Sequence, residues 1–272
     1  MRSLKLLLKL EMSKFKYNPT YRVIIALFTI VSPIIIFLGK DVFKDPPPPI
    51  PSSKVFYEFP TVWDYQGYAG SWMVSFLLGF ISIYIVTSEI SFRTLRQNIL
   101  TGLSRKEFFV SKLLHVVFLS FAATLLYVIS TVVIGLIHTE SADFELIFDN
   151  NFAVVRYFFM CLGYMTFGLF AGFLIRRGTL AIFTYFVYMN ILELIFMAIH
   201  VYYFKNESRN YWPMNAVEDL MPLPLYRLSD YFIKKQWDFN IVLPYNVALM
   251  MTVLYISIAI ILMYRNFSKR DI

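Results

Sequence analysis

Apolar residues run along the chain in six long stretches, at roughly 22–39, 69–88, 112–137, 153–175, 179–203 and 246–264, with polar clusters between them. A helix needs about 20 predominantly apolar residues to cross the hydrocarbon of a bilayer, and in lipid a helix is the element that satisfies its own backbone. The pattern predicts an all-α integral membrane protein with six transmembrane helices, built as a single domain over 1–272. Pro33 interrupts the first stretch and two turns of basic helix precede it, so it reads as a retained span and not as a cleaved leader.

Ahead of that span, Leu4, Leu8, Met12 and Phe15 recur at helical spacing while Arg2, Lys5, Lys9 and Lys16 fall on other faces. This predicts a basic amphipathic helix over 1–21 lying in the membrane interface. Composition agrees with a chain solvated by lipid: 58% of the 272 residues are hydrophobic and 16% charged, against a globular norm of about 45–50% and about 25%. The single cysteine, Cys161, sits inside an apolar run, so neither a disulfide framework nor a CxxC motif is present.

Charge sets an expected orientation, because Lys and Arg accumulate in short cytoplasmic segments. Segments 1–22, 89–112, 176–177 and 265–272 hold 16 of the 25 basic residues and 4 of the 18 acidic ones. Both termini are therefore expected in the cytoplasm. The net charge of +7 follows this distribution and predicts lipid, not nucleic acid, as the partner surface. Outside, Pro46 to Pro49 suit a stiff extended strap, and 138–152 is short and acidic. The 204–245 connection keeps Trp212, Leu220, Met221, Leu223, Leu225, Phe232 and Trp237, as a loop resting on the bundle would. Asn215 with Glu218 predicts a helix start there, and Leu225, Leu228 and Phe232 predict a second short helix.

The segment between spans two and three is the most informative. Phe92, Leu95, Ile99 and Leu103 form an apolar stripe, with Arg93, Arg96 and Gln97 turned elsewhere. Gly102 is a natural helix stop, and Ser104 with Glu107 predicts a capping box that starts the next helix. The result is an elbow over 91–108 at the cytoplasmic face. This run, from Glu89 through Arg-Thr-Leu-Arg-Gln-Asn-Ile-Leu and Thr-Gly-Leu-Ser-Arg to an aromatic pair and Ser111-Lys112, resembles the cytoplasmic signature of type-2 ABC exporter permeases. Glu89, Arg93, Thr94, Asn98, Gly102, Ser104, Arg105, Phe108 and Lys112 match that pattern, and Arg96 and Glu107 complete the expected coupling set. The resemblance implies a segment seated on an ATPase subunit. It also implies a second permease subunit, identical or related, around a central path, and residence in a bacterial cytoplasmic (inner) membrane. No GxxxxGK[ST] loop occurs in the chain, so no cofactor is expected on it; ATP and Mg belong to the partner, and the chain itself is not expected to be an enzyme. A non-transporting scaffold or receptor that docks a partner is the alternative.

Inside the lipid zone, Glu193 is the one carboxylate deep in a span, where a charge costs about 2.5–3.5 kcal/mol on the translocon scale. Asn190, Glu193 and Met197 share a face of span five, which marks them as expected residues of a translocation path; the bland reading is a hydrogen-bonded structural carboxyl. Gly168 and Gly172 form a GxxxG in span four, a signal of close helix packing. Glu89 to Arg93 and Phe196 to His200 contain fragments resembling the CAAX-protease pattern. The paired Glu and the last His element of that pattern are missing, and charge counting puts the two fragments near opposite surfaces. GxSxG and HExxH are also absent. An aromatic-rich bundle suits a lipid-like or amphipathic substrate.

The charge count predicts that cysteines placed at Ser104 and at both termini are protected from a membrane-impermeant reagent in intact cells, while cysteines at Pro48 and Asp149 react. Labelling of positions 48 and 104 from one side would remove the six-span arrangement.

Overall fold

The computed structural model describes residues 3–37, 53–141, 143–224 and 240–269, and the chain is helical, with no strand among these described residues. The proline strap at 46–49 and the segment with Leu225, Leu228, Phe232 and Trp237 lie outside the described residues. In chain order the elements are α1 (Leu4–Phe15), α2 (Pro19–Ile34, extended by a short 3₁₀ turn), α3 (Val62–Ser91), α4 (Thr94–Leu100), α5 (Arg105–His138), α6 (Phe144–Phe148), α7 (Phe152–Ile175), α8 (Gly178–Phe204), α9 (Pro213–Glu218) and α10 (Tyr245–Lys269). Among the described residues six helices are long and apolar enough to cross a membrane: α2 with its 3₁₀ turn, α3, α5, α6 continued into α7, α8 and α10. The second and third begin seven residues before the apolar runs do, because their ends carry polar residues that work: Asp64 in one and Glu107 in the other, described below.

Local chemistry explains the boundaries. Asn18 accepts from the Tyr21 amide and Pro19 opens α2, so side-chain cap and fixed proline φ act at one terminus. The α3 ladder is interrupted by a π-helical segment at Val74–Leu78, and the Tyr185 hydroxyl donates to the Ser75 carbonyl there at 3.1 Å. Span five has its own π segment at Tyr188–Leu192.

The central helix is α7, which packs against α3, α5, α8 and α10. Gly168 and Gly172 lie on the face toward α3. A Cβ added at Gly168 would come within 2.5 Å of the Gly79 carbonyl oxygen, and one at Gly172 within 3.3 Å of that of Ile83. Small residues let the two backbones approach where lipid offers no hydrophobic drive for helix association.

At the end of the bundle opposite the elbow, a buried guanidinium joins the elements. Arg156 of α7 donates to Asp64 of α3 at 2.8 Å and to the Leu220 carbonyl at 3.1 Å, and lies over the Tyr245 ring at 3.6 Å. Asn150 also donates to Asp64, at 3.0 Å. Tyr127 stacks on Tyr157 at 4.1 Å between centroids and donates to the Trp63 carbonyl.

Two local expectations change. The face of α1 toward the bundle carries Leu7, Glu11 and Phe15, while Leu4 is exposed; the stripe is one residue off because a buried carboxylate takes a position that an apolar count skips. The helix in the 204–245 connection starts at Pro213 with Trp212 as its cap, so Asn215 is its third residue and not its start.

Because the Cβ of an alanine at 168 would meet backbone while one at 172 needs only a few tenths of an ångström, Gly168→Ala should lower the melting midpoint in detergent well beyond Gly172→Ala. The difference should correspond to about 1–3 kcal/mol of overpacking; equal midpoints would show that α7 and α3 separate freely.

Candidate functional site

The elbow is built from strictly local signals. Span two ends at Ser91, and Arg93 turns the chain with a left-handed φ of 57°. Thr94 donates from its hydroxyl to the Glu89 carbonyl at 3.2 Å, an acceptor that the helix end leaves open. At the other end of α4 the Leu103 amide donates to the Asn98 carbonyl and the Gly102 amide to that of Ile99, both at 3.0 Å. This is a Schellman motif, and Gly102 supplies the left-handed residue with φ 97°. Ser104 and Glu107 then form a full capping box: the Glu107 amide donates to the Ser104 hydroxyl and the Ser104 amide to the Glu107 carboxylate. Arg105 donates to the Ser268 carbonyl at 2.9 Å, tying the elbow to the end of α10.

Beneath the elbow lies a buried ion cluster. Lys112, fully buried near the start of α5, donates to Glu11 of α1 at 2.6 Å and to Glu89 of α3. Its ammonium sits about 5 Å from two ring centroids, Phe15 at 5.1 Å and Phe108 at 4.9 Å. Lys14 bridges the same carboxylates at 2.9 Å and 3.2 Å. Asn98 donates to Glu89 at 2.8 Å, and Ser111 to Glu11 at 3.2 Å. Four elements, α1, α3, α4 and α5, therefore meet on two carboxylates and one enclosed ammonium. Beside them the Tyr21 hydroxyl and His115 Nε2 lie 2.9 Å apart.

Burial alone would raise the Glu11 carboxyl, but the adjacent Lys112 and Lys14 charges outweigh it and hold it down at about 2. Burial would lower Lys14, yet Glu11 and Glu89 raise it above its ordinary 10.5. A depressed carboxylate stabilises the fold above its unfolded value near 4.5 and loses that contribution as pH falls toward 2; a raised lysine contributes fully below 10.5. Glu11 and Lys14 are thus both charged across the neutral range.

The expected coupling residues fall into two groups. Glu89, Glu107, Phe108 and Lys112 are buried and Asn98 is partly so, facing the bundle. Arg93, Arg96, Gly102 and Ser104 are exposed, with Thr94 and Arg105 between the two groups. Of the apolar stripe, Leu95 and Leu103 are buried, but Phe92 is 74% exposed, and Leu100, outside the stripe, is 79% exposed. The elbow presents two large apolar tips beside Arg93 and Arg96. Glu11 and Lys14 were invisible to motif reading because their partners on other elements are 75 to 101 positions away; the one available sign was an acid inside an otherwise basic helix.

Span five places its three polar-face residues differently. Glu193 is buried and accepts from the Asn215 amide at 2.7 Å, so it caps the first turn of α9. Asn190 donates to the Phe186 carbonyl one turn back, and it and Met197 are half-buried. His200 lies 2.6 Å from the Ser208 hydroxyl, and no metal-holding group of His, Cys, Asp or Glu occurs among the described residues.

Lys112→Met should be among the most damaging single substitutions, since it leaves Glu11 and Glu89 buried with Lys14 alone. Removing one partner of a buried ion pair costs about 3–5 kcal/mol, measurable as a loss of folded protein by fluorescence-detected size exclusion. Adding Glu11→Leu to that variant should recover part of the loss; no recovery would mean that the two side chains do not interact.

A family model described as ABC-2 family transporter protein matches residues 7–197, well over half of the chain and including most of α1, the elbow and both π segments. No curated protein matches. The chain belongs to the ABC-2 transporter family, a membrane permease subunit whose family works with a separate ABC ATPase.

Proposed function

We propose that the chain is the permease of an ATP-driven exporter of a lipid-like or amphipathic substrate, and that its ATPase seats on the 91–108 elbow. The observation that carries this reading is the join between lever and load. The exposed tips Phe92 and Leu100 sit on an elbow that the Lys112 cluster locks to the ends of α3 and α5. A force applied to those tips is delivered to two spans at once, with no flexible linker to absorb it. Glu89, Asn98, Glu107, Phe108 and Lys112 then serve as transmission residues, and Arg93, Thr94, Arg96, Gly102, Ser104 and Arg105 as the docking side.

In this reading both termini and the elbow are cytoplasmic, in a bacterial inner membrane. A second permease subunit packs beside span five, the least buried of the six spans among the described residues. Asn190 and Met197 would face the path between subunits, while Glu193 holds α9 over its outer end. ATP and Mg stay on the ATPase. The aromatic and aliphatic surfaces of α2, α8 and α10, exposed to lipid, support a substrate that enters from the bilayer.

Copurification of an ABC ATPase with the tagged full-length chain tests the docking. Leu100→Asp should lower ATPase recovery at least ten-fold with membrane insertion intact. Ser104→Ala with Glu107→Ala removes the cap, about 0.5–2 kcal/mol of local helix stability, and should keep the ATPase bound but reduce hydrolysis-driven transport. Normal transport by the double variant, or unchanged ATPase recovery by Leu100→Asp, would overturn the assignment; an ATPase that binds while no solute moves would favour a docking scaffold.

A further inference from the structure

A second built feature lies on the opposite side of α1 from the ion cluster. Lys9, Met12 and Ser13 form one stripe of α1, which its C-cap Lys16 continues, at spacings of three, one and three. It faces Tyr21, Arg22 and Ile25 of α2 across a cleft of about 570 Å³. Three cations and no acid line it, and none of the three is in an ion pair among the described residues. The same Met12, Tyr21 and Ile25 also line a second cleft of about 400 Å³, which continues between α2 and α5 along Phe28, Leu119, Ala122, Leu126 and Ile129. No charged residue lines that second part.

We infer that this continuous groove binds one anionic phospholipid of the leaflet on which α1 lies, its phosphate among Lys9, Lys16 and Arg22 and an acyl chain between α2 and α5. Charge complementarity selects the occupant: a cationic mouth that opens into a wall whose polar side chains are Tyr21 and Thr29 alone fits an anion carrying a long apolar tail. Depth agrees. From Phe118 to Ile129 the groove follows twelve residues of α5, eleven steps or roughly 16 Å at about 1.5 Å per residue, and one leaflet offers about half of the ~30 Å hydrocarbon core. The mouth is preformed, because Asn18 caps α2 at the bend and Tyr21 meets His115 behind it, so little ordering opposes binding. The site shares no residue with the elbow tips or span five and does not depend on the transport reading.

The test uses the purified full-length chain in a neutral detergent, titrated with dioleoylphosphatidylglycerol, dioleoylphosphatidylcholine or inorganic phosphate and read by native mass spectrometry. One phosphatidylglycerol per chain should be retained and resist displacement by phosphatidylcholine and by millimolar phosphate. Each removed cation should weaken it about five-fold, the equivalent of roughly 1 kcal/mol per basic residue at an anionic lipid surface. Lys9→Gln, Lys16→Gln and Arg22→Gln together should weaken it about 100-fold. Ala122→Trp, which fills the acyl part at an exposed position and keeps every charge, should weaken it at least ten-fold. All four substitutions are on the surface, so the lipid-free melting midpoint should stay unchanged. Equal affinity for the two lipids, displacement by phosphate alone, or wild-type binding by the triple variant would overturn the site. So would an Ala122→Trp chain that keeps its lipid but loses a dimer, since the groove would then belong to a second copy.

Discussion

The ammonium of Lys112 is the group on which the elbow end of the molecule depends. An ion taken out of water is costly, and the cost is offset only where counter-charges and hydrogen bonds surround it. Here that surrounding is assembled from Glu11, Glu89 and two aromatic faces, on three separate elements, with Asn98 and Ser111 completing the carboxylates. None of α1, the end of α3, α4 or the start of α5 can shift alone without uncovering a charge. Their motions are therefore correlated by electrostatics before any packing is considered, and a surface helix of 12 residues becomes part of the frame.

The opposite end obeys the same rule with a different cation. Arg156 is enclosed by Asp64, the Leu220 carbonyl and the face of Tyr245, which ties α7, α3, the loop before α10 and α10 itself. Between the two ion sites apolar and small-residue contacts, including the Gly168 and Gly172 approach to α3, are joined by single hydrogen bonds such as those from Tyr185 to the Ser75 carbonyl and from Gln66 to the Ser32 carbonyl. In lipid such contacts gain little from solvent exclusion, so fixed polar clasps at the two faces define register and the middle supplies shape.

Much of this was legible in order along the chain and little of it across the chain. The spans could be read because hydropathy over about 20 residues reports the solvent directly. The Gly102 stop and the Ser104 and Glu107 box could be read because their partners lie within a turn of each other. The ion cluster could not, since Glu11 meets Lys112 across 101 positions, and a lone acid in a basic helix reads as a solvated charge. Arg156 is likewise singled out by no local pattern, although it is fully buried. Glu193 stood out as an anomaly of position, but its partner is a backbone amide of Asn215 that no side-chain pattern encodes. Phe92 continued the apolar stripe by spacing and yet points outward, because Arg93 turns the chain immediately after it.

One helix links the two polar ends. Asp64 and Glu89 both belong to α3, 25 residues apart, which is roughly 38 Å along a regular helix. Between them the π segment at Val74–Leu78 interrupts the regular ladder, and such interruptions are where helices bend most readily. The carbonyl of Ser75 in that segment is held by Tyr185 of α8, one turn before the second π segment at Tyr188–Leu192. Beyond that segment Glu193 caps α9 at the far face. A displacement of Glu89 thus enters a helix that is clamped at both ends and jointed in the middle, and the joint is hydrogen-bonded to the helix that carries the Glu193 cap. Under the proposed function, this path moves α8 and α9 together, because Tyr185 and Glu193 bracket the softest part of span five.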